Sequence, residues 1–78
     1  MPWPEAVVNR RVAMGVLRVA IANLEPRQRQ ALESLHLLGL SVSETARQMG
    51  VSRQAVYNLE SRAMPNLVAE IDCLLNKS

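Results

Sequence analysis

The chain has 78 residues, 49% of them apolar, a formal net charge of +2 and a single cysteine. That length leaves room for one small domain, which buries only about 60% of the surface its unfolded chain exposes and gains from any partner that shares its core. An internal disulfide, a deep substrate pocket and a membrane span are not expected: Cys73 has no companion, and the apolar run from Val7 to Leu24 is interrupted by Arg10, Arg11 and Arg18. Phe is absent and only Trp3 and Tyr57 are aromatic, so the core must be built from Leu, Val, Ile, Ala and Met. With no alternation of β-branched and aromatic residues, the expected fold is all-α, a small domain of four to five helices. A reducing cytoplasm suits the lone thiol.

Residues 1–4 (Met-Pro-Trp-Pro) read as an extended lead-in, because the two prolines disfavour an early helix start. Trp3 either docks on the body of the domain, the arrangement expected because an exposed Trp is costly, or is mobile. The single domain then occupies residues 5–78. Its first helix, over 5–23, carries two apolar stripes. Met14, Leu17, Ile21 and Leu24 form one; Val8, Val12, Val16 and Val19 form the other. Arg11 and Arg18 part them on one side, Ala13 and Ala20 on the other. One neighbour needs only one stripe. A second helix opens at Pro26, presents Leu24, Ala31, Leu32, Leu35 and Leu38, and closes at Gly39. His36 flanks that face without companions at ligand spacing and reads as a packed or edge histidine. Neither a metal site nor a cofactor is expected.

The segment from Leu40 to Leu59 is the most informative. Ser41 can cap a helix and Glu44, three residues on, can reach back to it. Val42, Ala46 and Met49 share one face while Arg47 and Gln48 turn away. Gly50 permits the left-handed turn that ends this helix. Val51 plugs the turn and Ser52 caps the next helix. These features together make a helix-turn-helix. The second of its helices, over about 52–63, puts Ala55, Val56, Leu59 and Ala63 inward and Arg53, Gln54, Tyr57, Asn58 and Ser61 outward. Arginine suits guanine O6 and N7, and Gln or Asn suits adenine N6 and N7, so the outward set has the chemistry of base reading. An ordinary solvated helix would more often carry Glu–Lys pairs. Eight of the nine basic residues are arginine, the side chain that forks onto phosphate and guanine.

Pro65 is expected to break or kink the chain. A last helix over 66–76 then carries Leu67, Val68, Ile71, Leu74 and Leu75 in one stripe, with Met64 alongside and Cys73 on the polar side. It can pack on the first helix or pair with its twin in a dimer. Catalysis finds no support: Ser41, Ser43, Ser52 and Ser61 sit at caps or on the polar face with no base–acid pair beside them. Glu44 has a capping role, and Glu60 is expected to orient Arg53 or another arginine of its helix.

Residues from about Val16 to Leu67 resemble region 4 of the bacterial sigma-70 family. The run from Val16 to Arg29, ending in Leu24-Glu25-Pro26-Arg27-Gln28-Arg29, is similar to that family's helix-then-LPxRxR opening. Leu40 to Glu44, with Ala46 and Gly50 to Arg53, is similar to its helix-turn-helix, a motif shared with LuxR-type regulators and plasmid or phage repressors. The resemblance implies binding of duplex DNA through Arg53, Gln54, Tyr57 and Asn58, with phosphate contacts from Arg27, Arg29, Arg47, Ser52, Ser61 and Arg62. Ser41, Glu44, Ala46, Gly50 and Val56 hold the motif together. A sigma factor also needs a promoter-melting region, for which 78 residues leave no room, and Pro65 interrupts the family's basic tail. The expected function is therefore a homodimeric repressor on a palindromic operator. Helices 5–23 and 66–76 supply the candidate interface: Val8, Val12, Val16, Val19, Leu67, Ile71, Leu74 and Leu75. The alternative is a region 4-like protein that docks on RNA polymerase or an anti-sigma partner. No membrane association is expected.

Overall fold

The computed structural model describes residues 9–76, and among these it is built of helices alone. Helix α1 spans Arg10–Ala22, α2 Pro26–Leu32 with a π-helical continuation over Glu33–Leu37, α3 Val42–Met49 and α4 Arg53–Asn76. The 24 residues of α4 make a rod of about 36 Å at 1.5 Å per residue, close to the 38 Å long dimension of the molecule. It is the spine on which α1, α2 and α3 all pack. No helix is long and apolar enough to cross a membrane among the described residues.

Helix α1 does not run back unbroken to Glu5. Asn9 holds an extended conformation (φ −68°, ψ 120°), and its side chain accepts from the Arg11 backbone N–H, which starts the helix at Arg10. The extended lead-in, Trp3 and Val8 lie outside the described residues. Helix α2 starts where Pro26 occupies the first turn and the Glu25 carboxylate accepts from the Arg27 N–H at 2.8 Å.

The core joins Ala20, Ile21 and Leu24 to Leu32 of α2 and to Ala63, Leu67 and Ile71 of α4, with Val16, Leu17, Leu37, Leu74 and Leu75 packed around them. Burying a side chain such as Ile21, which is fully enclosed, contributes about 1.5–3 kcal/mol. Ala20, placed between stripes by periodicity, sits at the centre instead. Ala20, Ala31 and Ala63 are all fully buried, because small residues let helix axes approach closely where ridges cross. Polar links frame the packing. Gln28 accepts from Asn66 (3.3 Å), and His36 Nε2 meets Glu60 at 2.9 Å. The numbers rise on α2 as they fall on α4, so the two helices run in opposite senses.

Three expectations are corrected. Pro65 does not separate the recognition helix from a last helix over 66–76: α4 continues through it. The ring is exposed, so the one carbonyl deprived of its partner can bind water, while burial of Ala63, Leu67 and Ile71 holds the helix together on either side. Leu38 does not join the apolar face but is 67% exposed, and Ser34 is buried instead. The wide turn causes this. The Leu38 N–H donates to Glu33 at 2.9 Å, five residues back, which turns later residues off the register of an α-helix. Val12, Val19 and Val68, whose stripes could meet either the same chain or another copy, are exposed in the single chain. Finally, much of the candidate subunit interface faces inward. Leu67 and Ile71 are buried, and Val16, Leu74 and Leu75 pack on the same core, because α4 lies against α1 of its own chain.

Candidate nucleic-acid interface

The helix-turn-helix consists of α3 and the first part of α4. Ser41 Oγ accepts from the Glu44 N–H and Glu44 Oε1 accepts from the Ser41 N–H, both at 3.0 Å, which closes the capping box. The Ser41 backbone N–H on the carboxylate, then the Ser41 hydroxyl beside it, hold the Glu44 carboxyl below its ordinary range, with the nearby Arg47 charge adding to them. At the other end Gly50 adopts φ +69°, ψ +33°, a conformation that side chains with a Cβ enter at a cost. The Val51 N–H then donates back to Ala46 at 3.0 Å. Ser52 Oγ accepts from the Ala55 N–H at 3.1 Å and starts α4.

Inside this motif Ala46 and Val56 are buried as expected, and so is Thr45. Sequence reasoning missed Thr45, because a polar residue beside Glu44 gives no sign of facing inward. Its hydroxyl is fully enclosed without a hydrogen-bond partner among the described residues.

Arg53, Gln54, Tyr57, Asn58 and Ser61 all face solvent, Tyr57 at 53% exposure despite its size. Gln54 Nε2 donates to Asn58 Oδ1 at 3.1 Å, one turn apart on the helix. This contact holds both amides in place and leaves the Asn58 N–H groups and the Gln54 oxygen for other partners. Among the residues assigned to phosphate, Arg27, Arg29, Arg47, Ser52, Ser61 and Arg62 are all exposed. Arg29 is partly engaged, with its Nε 3.9 Å from Glu33; such an exposed pair is worth only about 0.5 kcal/mol or less and yields readily to a better anion. Arg27 and Arg62, distant in sequence, come together. With Asn58 and the apolar Val51, Ala55 and Leu59 they line a cleft of about 200 Å³ on the flank of α4.

Glu60 departs from expectation. It engages no arginine of its own helix but His36 on the π-helical turn, at 2.9 Å. The signal was a contact between residues 24 apart, which helical periodicity within either segment does not encode. Among the described residues no group of three or more His, Cys, Asp or Glu is placed to hold a metal ion.

Residues 14–67 match the Sigma-70, region 4 family. The ECF RNA polymerase sigma factor BldN of Streptomyces coelicolor is 38% identical over 64 residues, which cover 82% of this chain and 24% of that protein. The chain thus spans about a quarter of the length of this relative. No solved structure matches it. The matched interval runs from within α1, through both helices of the motif, to Leu67 at the core of α4, so the capping box, the Gly50 turn and the outward polar face all lie inside it: the chain belongs to the sigma-70 region 4 family.

Proposed function

We propose that this protein is a sequence-specific, double-stranded DNA-binding transcriptional regulator that reads bases with Arg53, Gln54, Tyr57 and Asn58. The observation that carries the reading is the single exposed face on which these four side chains lie, fixed from behind by buried Val56 and Ala46. Arg27, Arg47 and Arg62, with Arg29, Ser52 and Ser61, supply the phosphate contacts that set register on the duplex. No catalytic role is assigned to any residue, and the site of action is the cytoplasm.

One short recognition helix reads few base pairs, so two copies about 34 Å apart on a palindromic operator would supply useful specificity. In this homodimeric form the protein excludes polymerase as a repressor. With Leu67, Ile71, Leu74 and Leu75 committed to the core, the subunit contact falls to the outer side of α1, where Val12 and Val19 are exposed at 44% and 48%. Sedimentation equilibrium and selection of bound fragments from a random DNA pool test both halves of the proposal. An inverted repeat and a dimer dissociated by Val12→Glu are expected. A strictly monomeric protein without sequence preference rejects it.

The likeness to a sigma factor favours a second reading, in which the domain works docked on RNA polymerase or an anti-sigma partner. Salt separates the two. Binding to phosphates weakens steeply with salt, by a slope of about −0.9 per phosphate neutralised, whereas a module that only docks on protein shows no DNA affinity at low salt and is retained by purified polymerase.

A further inference from the structure

The cleft between the start of α2 and the flank of α4 has a polar lining of one kind only. Its polar lining residues are Arg27, Arg62 and Asn58, whose guanidinium and amide groups are all hydrogen-bond donors. The Asn58 oxygen already accepts from Gln54, so the amide has N–H groups left to offer. Among the described residues no carboxylate lines the cleft and neither arginine makes an ion pair. Two like charges converging on one recess without a counter-ion repel each other, and an anion seated between them removes that cost. Guanidinium groups favour an oxyanion, which they can grip through paired N–H bonds.

The rest of the lining is different in character. Val51, Ala55 and Leu59 supply it, and a bare phosphate leaves such a surface uncovered. At about 200 Å³ the recess is smaller than the roughly 300–1,000 Å³ of sites for larger ligands. That limits the apolar body to a single ring or a short branched chain.

We propose that this cleft binds a small organic oxyanion, a carboxylate or phosphomonoester on a compact apolar body, and that the ligand competes with DNA for Arg27, Arg62 and Asn58. The competition rests on the DNA reading above; binding of the ligand does not. When the oxyanion is seated, two phosphate contacts and one base contact are lost together, and the protein leaves its site.

Amide-resolved NMR titration of the free protein at constant ionic strength is the test, with phenyl phosphate and benzoate as probes and inorganic phosphate and benzyl alcohol as comparators. Saturable shifts centred on Val51, Ala55 and Leu59 are expected with the two aromatic anions, and Arg27→Gln or Arg62→Gln should weaken each by roughly tenfold. Both arginines are exposed, and unchanged helicity by circular dichroism confirms that the variants fold. Absence of saturation with both aromatic anions overturns the proposal. Inorganic phosphate binding as tightly as phenyl phosphate also overturns it, by leaving the cleft to the DNA backbone alone, and equal binding of benzyl alcohol removes the anion requirement. In a separate arm, phenyl phosphate at ten times its Kd should weaken DNA binding roughly tenfold beyond an equal ionic strength of chloride. Ligand binding without any DNA affinity would defeat the DNA reading and spare the site; DNA binding indifferent to bound ligand would defeat the competition.

Discussion

Replacing Thr45 by valine should stabilise this domain. The Thr45 side chain is fully buried and its hydroxyl has no hydrogen-bond partner among the described residues. A buried polar group left unpaired costs about 1–3 kcal/mol relative to its hydrated state in the unfolded chain. Valine keeps the β-branch and the methyl already packed there, and exchanges the hydroxyl for a second methyl of similar shape. The expected gain is about 1–2 kcal/mol. In a domain of this size each kcal/mol moves the melting midpoint by roughly 4–8 °C, so the rise should exceed about 4 °C. Thr45→Ser gives the opposing control, since it retains the unpaired oxygen and deletes a buried methyl, a loss of about 0.8 kcal/mol or more. Far-UV circular dichroism during heating, with urea titrations at unchanged slope, reads both variants. The order Val, Thr, Ser in falling stability is expected. If valine destabilises while serine matches threonine, the hydroxyl has a partner in solution and the reasoning fails.

Arg53→Ala should cost about 1–3 kcal/mol on the preferred DNA sequence and relax preference at one position, whereas Arg47→Ala should weaken preferred and scrambled sites alike and reduce the salt slope by about 1; equal effects of both substitutions on both sites in a gel-shift series would remove the division between base and phosphate contacts. Pro65→Ala should restore a helix hydrogen bond on the exposed side of α4 and raise stability by up to about 3 kcal/mol, measured by urea denaturation. Because the Glu44 carboxyl is held below its ordinary value of 4.5, its stabilising effect is present in full above that value and fades as pH falls through the lower folded-state value. Glu44→Gln, which can still close the capping box, should be less stable than the parent at neutral pH and converge on it in acid. A difference that does not change with pH would mean that charge plays no part. Ile71→Asp should unfold the monomer rather than dissociate a dimer, since Ile71 is only 8% exposed within one chain; a folded monomeric product by sedimentation and circular dichroism would place that helix back at an interface.

The motif was legible in the sequence because its signals are local. A capping box needs two side chains three residues apart, a left-handed turn needs a glycine, and a polar helix face needs only the helical period. Ser41, Glu44, Gly50 and Ser52 therefore stand where their chemistry requires, and Arg53, Gln54, Tyr57 and Asn58 point outward. Composition alone likewise restricted the core to aliphatic side chains and the fold to helices.

Tertiary packing decided the rest, because it weighs contacts between segments that no local period contains. Propensity at Pro65 favours a break, yet the burial of Ala63, Leu67 and Ile71 on one face of a single rod overrides it. The same burial turned a candidate subunit interface into the chain's own interior. A wide turn after Leu32 moved Leu38 into solvent and brought His36 to Glu60. Arg27 and Arg62 meet across one cleft only because α2 lies along α4. Local chemistry determined which side chains could read a duplex; long-range packing determined which of the remaining surfaces stay open to anything else.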